Sequence, residues 1–470
     1  MNRTGCLLFA ILLGVMGTAT HGAAWAAEAT PGGIDLQKVQ VLDLATAARI
    51  AVADNPTLAA ARARVEQARE ALNQARSAYW PRVDLTASGT RVTTSDAEYQ
   101  GQATFYEAIY QSSYGTSYDQ TLDYFKAGLA ANWVLFDGFA RKFNVAAATY
   151  GEQGAAAARE DTRRLLLQSV TSAFLSAQLS LENIAIAKAD ESFNRRQLTE
   201  AKLRYEVGTG ALSDVLNFEV KVNTAQSNRI VAERTYQTDR IALAALLGIP
   251  RAHLPDQTQL APLEAITSAR MEKPQFEKSL EAAFARRPDL ARSDRAVRQA
   301  EAAAKAKKAD YFYPTLSLAA SYDGQRVEDL DFENEDFGNS VGLNLSFNIF
   351  AGGLYRAQYQ EARARLSEAE KTRENASINI ASQVQTDIEG VLSAQKQFLL
   401  QQKNAELVQK NRDLVEKEYK AGVGSLVRLN EAQRDLTAAQ VQLALAQTTL
   451  HRAWYDLMSA TGQILVAFTP

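Results

Sequence analysis

Apolar residues recur along this chain with two different periods, and the places where one period gives way to the other come in pairs. The period of two is clearest over 340–350, where Val341, Leu343, Leu345, Phe347 and Ile349 alternate with Gly342, Asn344, Ser346 and Asn348. Such alternation predicts a strand with one apolar and one polar face. Leu316, Leu318, Ala320 and Tyr322 predict a partner strand over 315–325. Earlier in the chain, Val83, Leu85 and Ala87 stand against Asp84, Thr86 and Ser88 over 82–93, and Leu129, Ala131, Trp133 and Leu135 share one side over 127–137. Each pair reads as a hairpin. The first is joined by a polar segment that holds Tyr99, Tyr106, Tyr110, Tyr114, Tyr118 and Tyr124 and is expected to be loop; the second is joined by an acidic run from Glu328 to Asp336.

Elsewhere the period is helical. Helices are expected over 43–79, broken at Asn55-Pro56, and over 276–311, broken at Arg287-Pro288, because proline removes a helical donor and restricts the residue before it. Pro81 and Pro314 end these segments. Long helical hairpins follow over 139–247 and 353–461; their first limbs are rich in Ala, Gln, Glu, Lys, Arg and Leu and contain no proline. Glycine marks their ends. Gly138 to Gly208 spans 70 positions, as does Gly352 to Gly422, and the return limbs from Gly208 to Gly248 and from Gly422 to Gly462 both span 40. The paired prolines lie 25 and 26 positions apart. These matched intervals identify a tandem duplication, with one repeat over 27–250, a proline-bearing linker over 251–275 and a second repeat over 276–465. A helix of seventy residues would extend about 105 Å, far beyond what a globular domain uses.

The first 26 residues stand outside this scheme. Arg3, the apolar run from Leu7 to Val15 and the small-x-small sequence Ala24-Trp25-Ala26 predict a secretory signal peptide. Cys6 falls within it, so the mature chain is expected to have no thiol, which excludes disulfides and cysteine metal sites. Lys and Arg number 51 against 54 Asp and Glu, for a net charge of −3, and nothing suggests a nucleic-acid partner. After the signal peptide no apolar run reaches the length of a membrane helix. Only His253 and His451 remain among the histidines, and no phosphate loop or nucleophile pattern is present, so neither an enzyme nor a cofactor is expected.

Four alternating strands carry the argument further. A secreted chain can cross an outer membrane as a β-barrel, but four strands leave two open edges that lipid cannot satisfy. Closure therefore requires several copies; three give twelve strands, enough for a wet lumen onto which Asn344, Ser346 and Asn348 would face. The order of motifs then resembles the TolC-like outer-membrane efflux proteins: short helix, Asn-Pro or Arg-Pro break, helix, Pro, hairpin, Phe136-Asp137-Gly138 or Phe350-Ala351-Gly352-Gly353, seventy-residue arm, glycine turn and return limb, all twice over between about 40 and 465. The resemblance implies a mainly α fold with a β-barrel portion. In it, duplicated helical hairpins form a trimeric periplasmic α-barrel, and four strands per protomer contribute to one twelve-stranded outer-membrane barrel in lipid. It implies an exit duct of a tripartite efflux pump or type I secretion system, working with a periplasmic adaptor and an inner-membrane pump or ABC exporter. The turns Val207-Gly208-Thr209 and Gly422-Val423-Gly424 would be adaptor-docking tips. Asp214, Arg428 and Glu431 would form the periplasmic gate, with Arg428 standing where the family commonly has an acid. The rival reading is a periplasmic coiled-coil adaptor or tether, which would need one arm flanked by compact β-domains.

Overall fold

The computed structural model describes residues 39–110 and 120–468. The expected signal peptide lies outside these residues. The chain divides into two compact units, one formed by Arg69–Thr149 with Arg298–Ser367, the other by the segment ending at Ala68 with Tyr150–Val297 and Glu368 onward.

The first unit is built on a four-stranded antiparallel sheet. Its strands are β2 (Arg82–Thr93), β3 (Thr121–Phe136), β5 (Thr315–Val327) and β6 (Phe337–Ser346), in the order β2-β3-β5-β6. Each sequence repeat supplies one hairpin, and β3 joins β5 across the repeats. The register separates two faces. Val83 and Leu85 lie in rows with Leu129 and Ala131, Trp133 lies opposite Leu318, and Leu343 and Leu345 lie opposite Leu318 and Leu316. On the other face Ser317 meets Asn344, Thr315 meets Ser346 and Ser321 meets Ser340, the last pair with hydroxyls 3.0 Å apart. The apolar face is bare: Val341, Leu343 and Leu345 are 65–76 % exposed. Edges β2 and β6 have no partner among the described residues.

Two expectations need correction here. The strand expected over 340–350 ends at Ser346, so Asn348 is not a ladder residue although Phe347 and Ile349 continue the alternation. The last pair is Ser346 with Thr315; beyond it the partner chain is Pro314, which has no N–H to donate. The polar segment expected as loop holds a helix, α3 (Asp96–Tyr110), and its Tyr124 lies in β3, opposite Thr90. Ser95 caps it by accepting from Glu98 N, and Asp96 and Glu98 sit in its first turn, where the helix dipole favours them. Tyr114 and Tyr118 lie outside the described residues.

The second unit is helical, and four of its helices have one end in the sheet-bearing unit. Asp43 caps α1 (Leu44–Asp54) by accepting from Thr46 N at 2.7 Å, and α2 (Pro56–Ser77) starts on its proline. The long arms α4 (Ala140–Glu206) and α8 (Leu354–Lys420) are each 67 residues; both return limbs, α5 (Leu212–Leu246) and α9 (Leu426–Ala460), are 35. α6 (Phe276–Arg286) and α7 (Pro288–Phe312) repeat α1 and α2. The linker is more ordered than its prolines suggest: it holds two short 3-10 turns, and β4 (Gln259–Leu260) pairs in parallel with β1 (Val41–Leu42) at the end of the lead-in.

The duplication extends to the core. Leu166, Val170, Phe174 and Ala177 pack with Leu243 in one repeat; Ile380, Val384, Ile388 and Val391, each 214 positions later, pack with Leu457 in the other. Both proline breaks are tied to a return limb by the residue before the proline. Asn55 Nδ2 donates to Leu246 O at 2.7 Å, and Arg287 Nη1 donates to Ala460 O at 3.2 Å.

Candidate functional site

Two places in the chain combine exposed apolar groups with fixed polar chemistry. The first is the end of the sheet where the helices attach. Trp80 is 76 % exposed on the turn after α2, and Phe139 and Phe312 are exposed at neighbouring junctions. Asp137, in the Phe-Asp-Gly motif, and Arg141 lie at i and i+4 across the start of α4. Asp137 Oδ2 accepts from Arg141 N and Nε at 2.9 and 3.0 Å, and the guanidinium also donates to Ala78 O, Val134 O and Leu135 O. It lies 5.2 Å from the centre of the Tyr79 ring, while Trp133 Nε1 donates to Tyr79 O. One cation therefore holds the end of α2, the end of β3 and the start of α4. The Asp-x-x-x-Arg spacing at a helix start was the available signal for this clasp, which the motif reading passed over.

The second place is the pair of hairpin tips. The two turns have the same bonding. Gly208 N and Gly422 N donate to Tyr205 O and Tyr419 O, and Thr209 N and Val423 N donate to Arg204 O and Glu418 O. Gly208 and Gly422 have φ of 77° and 79°, the left-handed conformation that ends a helix cheaply only on glycine. Thr209 stands at the position of Val423, so the tips share one backbone geometry and differ in side chains: Val207 against Ala421, Thr209 against Val423, and uncapped Ala211 against Ser425, which accepts from Arg428 N. Val207 is 64 % and Val423 81 % exposed.

The structure brings the tips together. Phe193, Val215 and Phe218 of the first hairpin pack with Val415, Tyr419 and Leu429 of the second. Asn430 Nδ2 donates to Asn217 Oδ1 at 3.0 Å, and Arg204 lies 5.2 Å from the centre of the Tyr419 ring. Burial raises the Tyr419 pKa, with the nearby Asp214 carboxylate pushing the same way. Asp214 and Glu431 make no ion pair among the described residues. Arg428 does: its Nη1 lies 3.4 Å from Glu418 Oε2, joining the start of α9 to the end of α8. Sequence reading placed Arg428 at the tip and left Glu418 unnamed, because the pair spans the turn that only the folded tip closes. Among the described residues no group of three or more His, Cys, Asp and Glu side chains is placed to hold a metal.

A family profile described as outer membrane efflux protein matches residues 48–249 and 279–463, one segment in each repeat. The outer membrane efflux protein BepC of Brucella suis biovar 1 is 25 % identical over 417 residues, covering 87 % of this chain and 83 % of the relative. The pyoverdine export outer membrane protein OpmQ of Pseudomonas aeruginosa is also 25 % identical over 417 residues, covering 88 % and 84 %. Among solved structures, the outer membrane protein VceC of Vibrio cholerae shares the fold with a TM-score of 0.71 at 20 % identity, over 89 % of this chain and 96 % of that one. The open sheet with its bare apolar face, the paired hairpin arms and a profile match across both repeats converge on one conclusion: the chain belongs to the outer membrane efflux protein family.

Proposed function

We propose that three copies of this chain close one barrel and one helical duct, and that the paired tips form its periplasmic entrance and the docking site of an adaptor protein. Membership of the family makes the protein an outer-membrane exit channel with a periplasmic part. The observation that carries the finer reading is the sheet: four strands, two unpartnered edges and one apolar face open to its surroundings. Unpaired edges cost several kcal/mol per backbone group in hydrocarbon, and side-by-side copies remove them. Three copies give twelve strands, whose polar faces, with Asn344 and Ser346, then line a wet lumen. Energy for export comes from an inner-membrane pump or ABC exporter, reached through the adaptor.

At the entrance, exposed Val207 and Val423 supply the apolar contact and the glycines allow close approach of backbone. Arg428 clasps Glu418 within its own tip and holds the second turn in its closed form beside Asp214 and Glu431. Replacing Val207 and Val423 together by Asp tests the docking role. Export and co-purification with the adaptor are expected to fail while the outer-membrane oligomer forms at wild-type yield; intact adaptor binding would refute the assignment.

A further inference from the structure

We propose that Arg76, Lys142, Lys308 and Arg356 form a cationic collar that binds the phosphate groups of anionic phospholipids in the periplasmic leaflet of the outer membrane. The proposal rests on the membrane reading of the sheet and adds a lipid preference to it. All four residues belong to the sheet-bearing unit, one on each of the helices that attach to the four strands. The register puts all four junctions at one end of the sheet, since Arg82 faces Asn132, Phe136 faces Leu316 and Thr315 faces Ser346.

Each cation is exposed, and none makes an ion pair among the described residues. Their neighbours differ. Asp137, Glu301, Asp310 and Glu361 are each engaged by another cation, Arg141, Lys305, Lys307 and Arg365 respectively, and Glu70 accepts from Asn73. Four of these five acids are engaged by a cation and Glu70 by an amide, which leaves the four collar cations without an ion pair among the described residues. Arg76 lies four positions before exposed Trp80, Lys308 four before exposed Phe312, and Lys142 three after exposed Phe139. Lys308 and Phe312 share one face of α7, while Trp80 and Phe139 lie just outside the helix ends that carry Arg76 and Lys142. Aromatic residues mark the interface between hydrocarbon and headgroups, so the cations fall at the depth of lipid phosphates.

The other end of the sheet carries Asp96, Glu98 and the acidic run from Glu328 to Asp336. Charge is therefore sorted along the strands in a chain whose net charge is −3, and the collar does not follow from a generally basic composition. A basic group at an anionic membrane surface contributes about a fivefold gain in binding. Four act on one leaflet at each protomer.

The test uses the full protein purified as its heat-modifiable oligomer in detergent. Mixed micelles containing phosphatidylglycerol, mixed micelles containing phosphatidylcholine, and inorganic phosphate are added separately, with bound lipid counted by native mass spectrometry and Tm recorded. Phosphatidylglycerol is expected to bind and raise Tm, whereas phosphatidylcholine and free phosphate do neither. The variant with Arg76→Gln, Lys142→Gln, Lys308→Gln and Arg356→Gln is expected to bind phosphatidylglycerol at least a hundredfold more weakly. Undiminished binding by that variant, or equal stabilisation by phosphatidylcholine or by phosphate, overturns the collar. Should the fourfold variant yield no oligomer, the single variants decide: about a fivefold loss in each supports the collar, and unchanged binding in all four refutes it. A wild-type protein recovered as a soluble monomer would refute the membrane reading itself, whereas a folded oligomer indifferent to lipid charge refutes only the collar.

Discussion

At the scale of single residues, three positions carry contrasting physics. Asp387, on α8, has a pKa raised to about 6, first because burial disfavours its charged form and then because Asp456 repels it, with Arg287 opposing. Its Oδ2 is buried and accepts no hydrogen bond. The folded chain binds this proton more tightly than the unfolded chain does, so stability falls as pH rises from about 4 to about 6 and the penalty persists above that. Asp387→Asn is therefore expected to raise Tm at pH 7.5 and leave it unchanged at pH 4; a lower Tm at pH 7.5 would show that the charge is compensated in the assembled protein. Gly422 has φ of 79° at its tip, so Gly422→Ala is expected to cost about 1–2 kcal/mol. Faster hydrogen exchange confined to residues around 419–428 is the readout. Arg141 is different, since its side chain and that of Asp137 are only 14 % and 15 % exposed. Arg141→Met strands a carboxylate and three carbonyls and is expected to cost about 3–5 kcal/mol, seen as loss of the folded form on unheated gels. The glycine's role was legible from its place in the turn. Those of Arg141 and Asp387 were not, because nothing local in a sequence says which neighbouring helix brings burial or a second carboxylate.

At the scale of elements, the hydrophobic pattern and the spacing of glycine and proline located the paired arms within a few residues, because 70- and 40-residue intervals leave little freedom for a duplicated hairpin. The departures have particular causes. Strand β6 stops where Pro314 removes its partner, a fact about pairing that the alternation of Phe347 and Ile349 cannot register. Helix α3 was hidden because its tyrosines and glutamines show no apolar period, although Ser95, Asp96 and Glu98 carry a helix start. β3 begins at Thr121, earlier than expected, since Asp123 and Lys126 interrupt the pattern while Arg91 and Gln325 pair opposite them. The proposed gate is likewise an element-scale device. Arg428 and Glu418 bridge the two ends of one turn, and the pair is largely exposed, so it contributes about 0–1 kcal/mol to stability. Arg428→Glu turns this contact into repulsion. Single-channel conductance in planar bilayers is expected to rise with little change in Tm; conductance equal to wild type would return these charges to ordinary solvated surface.

At the scale of the whole molecule, everything follows from a sheet that one chain cannot finish. The apolar face from Val83 to Leu345 needs lipid, edges β2 and β6 need each other in neighbouring copies, and the polar face needs water. Family membership fixes the setting as the outer membrane, and strand arithmetic supports the proposed three copies: two would give eight strands with an interior filled by side chains, three give twelve with room for a lumen. The most direct measurement is the native mass of the folded protein extracted from outer membranes in a mild detergent. Particles of three copies, converting to single chains only on heating, are the predicted result. Folded particles holding one or two copies would contradict the closed twelve-stranded channel.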